Sequence, residues 1–311
     1  MRTRRSNGPL LDLEDYRALV HLDAPYPKSF DKALTDSERA AIIDDLLDYL
    51  LNSEGMKIPE NLQVPIDKRL LLRALLNIRE PEPLPDAFLK KLDRLLQAEM
   101  AEQGIVRPED VPPCSEQVPA AVVHHADKMA LWTGDITRLA ADAIVNAANK
   151  SLLGCFQPLH ACVDNAIHSA AGPQLRQDCY MIMKKQGRDE PTGGAKMTRA
   201  YNLPAAYVLH TVGPIVPGGR IVADQHRERL AASYRSCLDL ASRVRDIRTV
   251  AFCAISTGAF GFPKREAARI AVKTVDEWLA KAPARLDRVI FVAYTEEDAN
   301  VYIDAMRADW Q

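Results

Sequence analysis

From residue 36 onward the chain first repeats apolar residues at helical spacing and later in short strand-like runs. Ile42, Ile43, Leu46, Leu47, Leu50 and Leu51 form one stripe, which predicts an amphipathic helix. Thr35-Asp36-Ser37-Glu38 marks its start as a capping box, because a Thr side chain and a Glu three residues on satisfy each other's free amides. A second helix is predicted over 66–78 and stops before Pro81-Glu82-Pro83-Leu84-Pro85, where prolines remove donors and clash with a continuing helix. A third begins near Asp86 and buries Phe88, Leu89, Leu92, Leu95 and Leu96. The segment 104–120 carries Pro108, Pro112, Pro113 and Pro119 and reads as a linker or an extended wrap.

Beyond it the texture changes. Strands are expected at 122–125, 129–132, 143–146, 207–211, 250–254 and 289–293. Helices are expected near 163–186, 224–244, 264–279 and 296–307. Alternating strands and helices argue for a mainly parallel sheet covered on both faces, with ligands bound outside the carboxyl ends of the strands. The division that follows is a helical unit at 1–103, a linker at 104–120 and an α/β unit at 121–311.

The composition of the 311 residues narrows the function. The chain is 47% hydrophobic and 26% charged with a net charge of −2, ordinary for a globular protein and without global attraction to nucleic acid. No apolar run is long enough to span a bilayer. Met1-Arg2-Thr3-Arg4-Arg5 resembles the start of a signal peptide but lacks the apolar segment that should follow, so a cytoplasmic monomer with neither membrane nor nucleic-acid partners is the expectation. Six cysteines are too few for a disulfide scaffold.

Four stretches carry candidate chemistry. Cys155, His160 and Cys162 offer two thiolates and one imidazole within eight positions, and Pro158 bends the segment between them. With a helix beginning at Val163, its dipole is expected to favour the Cys162 thiolate. Such a set suits zinc with a vacant fourth position; a Cys155–Cys162 disulfide and plain packing are the alternatives. Asn146 and Asn149 stand at the end of a strand, where asparagines either serve turns or meet sugar hydroxyls. Ser256-Thr257-Gly258-Ala259-Phe260-Gly261-Phe262 links a strand to a helix, as an ordinary tight connection or as a cradle of amides for phosphate; it has no Walker lysine spacing. Asp135 in Gly134-Asp135-Ile136-Thr137 could cap a turn or bond a base.

These segments, in this order and with Ala166-Ile167-His168-Ser169-Ala170-Ala171-Gly172, resemble the ADP-ribose-binding segments of macrodomains. The ligand set and the leading helical region resemble the zinc-containing branch of microbial ADP-ribosylhydrolases. The resemblance implies a three-layer α/β/α fold with a mixed sheet. It also implies one zinc ion at Cys155, His160 and Cys162, and removal of mono-ADP-ribose from modified protein side chains. An O-acetyl-ADP-ribose deacetylase and a non-catalytic ADP-ribose reader are the alternatives within the family; a structural zinc module is the alternative outside it. By the same resemblance Asp135 meets the adenine amine, with Ile136 in the same pocket. Asn149 holds the distal ribose and takes part in catalysis, and Ser256, Thr257, Gly258, Ala259 and Phe260 cradle the diphosphate. Asp164 stands where zinc-free relatives keep a catalysis-linked aspartate, and His168 is expected to be structural.

Overall fold

The computed structural model describes residues 9–60, 62, 65–219, 221–282 and 284–308. Met1 to Arg5 lie outside them. In chain order the helices are α1 (Leu13–Tyr16), α2 (Asp36–Asp48), α3 (Lys68–Ile78), α4 (Asp86–Gln103), α5 (Cys114–Gln117), α6 (Val163–Ala171), α7 (Pro173–Gln186), α8 (Asp224–Ser242), α9 (Lys264–Lys281) and α10 (Glu296–Arg307). The strands are β1 (Met129–Thr133), β2 (Ala143–Ala147), β3 (Ala195–Arg199), β4 (Tyr207–Thr211), β5 (Thr249–Phe252) and β6 (Arg288–Ala293).

The strands form one sheet in the order β1-β6-β5-β2-β4-β3. Every neighbouring pair is parallel except β3 with β4, so the sheet is mixed only at one edge. Helices α8, α9 and α10 pack together on one face, and α6 and α7 lie on the other. The parallel strands are apolar on both faces, as burial beneath two helical layers requires. Their carboxyl ends therefore all open toward one side, where the loops after β1, β2, β4 and β5 meet.

A second, smaller core joins α2, α3 and α4 through Ile43, Leu46, Leu50, Leu72, Leu75, Leu92 and Leu95. The capping box at Thr35 forms, and a π turn (Tyr49–Ser53) extends α2. This unit rests on the α/β unit through contacts of α3 and α4 with α6. Leu13, Tyr16, Val20 and Leu22, within the stretch 1–103 expected to be the helical unit, belong to the larger core instead. So do Val111, Cys114 and Val118; the 104–120 segment runs along the α/β unit, with Val106 bridged to Leu139 and Pro113 to Ala130. Among the described residues no helix is long and apolar enough to cross a membrane.

Three elements differ from expectation. Residues 122–125 are not a strand, because the His124 and His125 amides bond the Asp276 carboxylate rather than a neighbouring strand. The single helix expected over 163–186 is two: Gly172, at φ 97, ends α6, and Pro173 opens α7. Strand β3 was not anticipated, since Lys196 and Thr198 break the apolar pattern. Both are buried, and each is satisfied: Lys196 pairs with buried Glu190 at 2.8 Å and Thr198 bonds His210 at 2.9 Å.

That buried pair yields a stability test. Lys196→Met leaves the Glu190 carboxylate buried with Gln186 as its remaining side-chain donor, and should cost about 3–5 kcal/mol. Adding Glu190→Gln should recover most of the loss, both read from urea denaturation; equal midpoints for wild type and Lys196→Met would contradict the assignment.

Candidate active site

The segment from Asn149 to Asn165 leaves the carboxyl end of β2, bends twice and enters α6. Asn149 shapes the first bend: its Nδ2 donates to the Gly154 carbonyl at 2.9 Å, and its Oδ1 accepts from the Ser151 amide at 3.0 Å. Leu152, Gly154 and Leu159 all have left-handed backbone, at φ 59, 79 and 56. For the two leucines this conformation is costly and persists only where the surroundings impose it. A side chain at Gly154 would force a shift, because a Cβ there would lie 2.9 Å from the His168 ring.

The bends bring the Cys155, His160 and Cys162 ligand atoms within 4.8 Å of one another. Cys155 Sγ stands 3.5 Å from His160 Nδ1. A tetrahedral ion with sulfur at about 2.3 Å and nitrogen at about 2.0 Å separates those two ligands by about 3.5 Å, so the donor set fits zinc in chemistry and the Cys155–His160 pair fits it in spacing. All six cysteines are free, which disposes of the disulfide alternative in this conformation. Cys162 caps α6, accepting the Asn165 amide at 3.4 Å. The expected lowering of its thiol by the helix does not result. Burial outweighs that amide and pushes the thiol up to about 11, so the helix end alone does not make the thiolate.

Asp164 follows in the first turn of α6 and is buried. Asn146, at the end of β2, donates to it at 2.8 Å, and His168 Nε2 lies 3.6 Å from the same oxygen. Burial raises the carboxyl to about 6, against the lowering effect of Asn146 and of the Arg176 charge. Behind it lies a second cluster, His168, Cys179 and His210. Burial holds both histidines below their ordinary range, hence neutral. His210 spends both nitrogens on hydrogen bonds, to Asn146 at 3.2 Å and Thr198 at 2.9 Å. Hydrogen bonds account for His210 and Cys179, whereas both His168 ring nitrogens are buried with no hydrogen-bond partner among the described residues, and that ring fills the space beneath Gly154.

Next to β2 in the sheet, β5 delivers the loop 253–262. Ser256 is buried at φ 66, its hydroxyl has no partner among the described residues, and its carbonyl accepts the Phe262 amide at 2.9 Å. Thr257 bonds the Ala254 carbonyl at 3.1 Å. Gly258 and Ala259 are exposed, Gly258 facing open space, and Phe260 binds the Val216 amide through its carbonyl at 2.8 Å. Asp135 caps a short 3₁₀ turn (Ile136–Arg138), accepting from the Thr137 amide at 2.9 Å and hydroxyl at 2.8 Å, while Ile136 is buried. The expected residues thus fall on three loops at one end of the sheet. Electrostatics link them: the Arg73 guanidinium feels both Asp135 and Cys162, and Cys253 feels Asp164.

Sequence reasoning missed Gly213, Arg73 and Asn77. Gly213 abuts Ser256 so closely that any Cβ would strike its hydroxyl, and only the loop pairing 212–216 with 256–262 reveals this. Arg73 and Asn77 come from α3, and no local motif links them to a loop more than 80 positions away.

The fold and the three loops at its carboxyl edge define a macro domain. The Macro domain family model matches residues 145–271. A protein-ADP-ribose hydrolase of Treponema medium is 43% identical over 273 residues, 86% of this chain and 98% of the relative. One of Staphylococcus aureus is 41% identical over 269 residues, 85% and 96%. Among solved structures, the Trypanosoma brucei macrodomain in complex with ADP covers 89% of this chain and 92% of its own, at 29% identity and TM-score 0.54. An Oceanobacillus iheyensis macrodomain with ADP covers 58% and 90%, at 36% identity and TM-score 0.51. The chain belongs to the macrodomain family of protein-ADP-ribose hydrolases.

The Gly154 geometry can be tested without any ligand. Gly154→Ala adds a Cβ in left-handed backbone against the His168 ring and should cost about 1–3 kcal/mol. Thermal denaturation measures it; a neutral substitution would contradict the packing of loop on helix.

Proposed function

We propose that this chain hydrolyses the bond between the distal ribose of ADP-ribose and a protein side chain, with one zinc ion held by Cys155, His160 and Cys162. The observation that carries the reading is an open set of two sulfurs and an imidazole beside the buried Asp164 carboxyl, at the strand ends that also present the Ser256–Phe262 loop. The name carried by the Treponema and Staphylococcus relatives supports the same activity.

In this reading Asp135 accepts from the adenine amine while Thr137 fixes its orientation, and Ile136 supplies the apolar side of that pocket. Ser256, Thr257, Gly258, Ala259 and Phe260 wrap the diphosphate with backbone amides, the open face at Gly258 leaving room for the phosphates. That remote binding fixes the ribose C1″ over the metal loop. Asn149, already holding Gly154 and Ser151, presents its side of the loop to the distal ribose. Zinc, when bound, supplies a positive centre with a free position for an oxygen.

Asp164 is the base. Asn146 holds one of its oxygens, and a carboxyl raised to about 6 by burial is matched to taking a proton near neutral pH. Water attacks C1″ and its proton passes to Asp164; the side-chain oxygen or nitrogen leaves with the bonding pair and takes up that proton, which returns Asp164 to the carboxylate.

Incubation with a mono-ADP-ribosylated protein should release free ADP-ribose. Cys162→Ala should lose the metal and nearly all turnover, while ADP-ribose binding persists. Asp164→Asn should keep the metal and lose about 10²–10⁴-fold in kcat. Activity of Cys162→Ala with metal shown absent refutes the role of zinc. Binding without release makes the chain a reader, and preference for O-acetyl-ADP-ribose makes it an esterase.

A further inference from the structure

The metal loop is gripped from outside the α/β unit. Asn77, in the last turn of α3, is only 3% exposed. Its Oδ1 accepts the Leu159 amide at 3.0 Å, and its Nδ2 donates to Ser169 Oγ at 3.0 Å. One helical turn earlier on the same face, Arg73 Nη2 donates to Asn165 Oδ1 at 2.9 Å. Asn165 in turn donates its side-chain amide to the Gln157 carbonyl at 3.2 Å and its backbone amide to Cys162 Sγ at 3.4 Å. Ser169 closes the circuit with a hydrogen bond to Asn165 at 3.2 Å. The network therefore reaches the loop at Gln157, Leu159 and Cys162.

Leu159 is the telling point. It precedes the ligand His160 and holds a left-handed backbone that no glycine relieves, and its amide bonds a side chain of the helical unit. A backbone of this kind is held only by its surroundings and relaxes when that support is removed. Relaxation at Leu159 would turn His160 away from Cys155 and Cys162. We propose that Asn77, together with Arg73 acting through Asn165, positions the ligand loop for metal, so that the N-terminal helical unit is a working part of the metal centre. These are positioning residues; they touch neither metal nor substrate. The inference rests on the zinc reading given above.

The test measures zinc affinity of the full chain by competition with a chromophoric chelator, alongside thermal stability and ADP-ribose affinity of the zinc-free protein. Asn77→Leu should weaken zinc binding by about 10–100-fold and leave ADP-ribose affinity of the zinc-free protein unchanged. Asn77→Asp keeps an acceptor for the Leu159 amide but draws the Ser169 hydroxyl away from Asn165, and should restore part of the affinity. Arg73→Met, at a half-buried position, should give a smaller loss in the same direction and decides the matter if Asn77→Leu does not fold. Wild-type zinc affinity in both Asn77→Leu and Arg73→Met overturns the proposal, as does a loss of stability with no change in zinc affinity. Absence of zinc from the unmutated chain would show at once, and would overturn the metal reading and this proposal together.

Discussion

The first two turns of α6 couple everything at the cleft, because they carry both the end of the proposed ligand loop and the buried carboxyl. Cys162 caps the helix, Asp164 and Asn165 occupy its first turn, and His168 and Ser169 the next. The inner side, Asp164 and His168, meets Asn146 and lies under Gly154; the outer side, Asn165 and Ser169, meets Arg73 and Asn77. A helix is the right support for this, since residues three and four apart share a face and hold fixed separations. A small rotation of α6 would move a ligand, the proposed base and the anchor of the helical unit at once.

Conformational strain is concentrated where the proposed chemistry is. Of the six non-glycine residues with positive φ among the described residues, Leu152 and Leu159 lie on the proposed metal loop and Ser256 on the proposed diphosphate loop. Neighbours impose each of these conformations: Asn149 brackets 149–154, Asn77 holds Leu159, and the Phe262 amide bonds Ser256. Loops fixed in this way bind without paying for their own ordering.

Much of the fold was legible because parallel strands buried on both faces read as short apolar runs, and the long helices carry clear stripes. The ends of β4 and α10 fell where the pattern put them. What was hidden is polar and buried. Strand β3 conceals Lys196 and Thr198 behind partners that lie elsewhere in the chain, and 122–125 gives up its ladder to Asp276. In the loops, the convergence of Cys155, His160 and Cys162 and the turn cap at Asp135 were legible, because each lies within one short segment. Arg73, Asn77 and Gly213 act across long separations, and no spacing within one segment signals them. The Cys162 thiol shows a different limit: its place at a helix start was legible, but the burial that dominates its acidity was not.

The proposed function depends on an open zinc site beside the diphosphate loop. Zinc K-edge absorption on the purified full-length protein, recorded with and without saturating ADP-ribose, tests it most directly. Cys155, His160 and Cys162 should give two sulfurs, one nitrogen and a lighter fourth neighbour whose signal changes when ADP-ribose is added. A spectrum with four protein ligands that ignores ADP-ribose, or a protein that takes up no zinc, would contradict it.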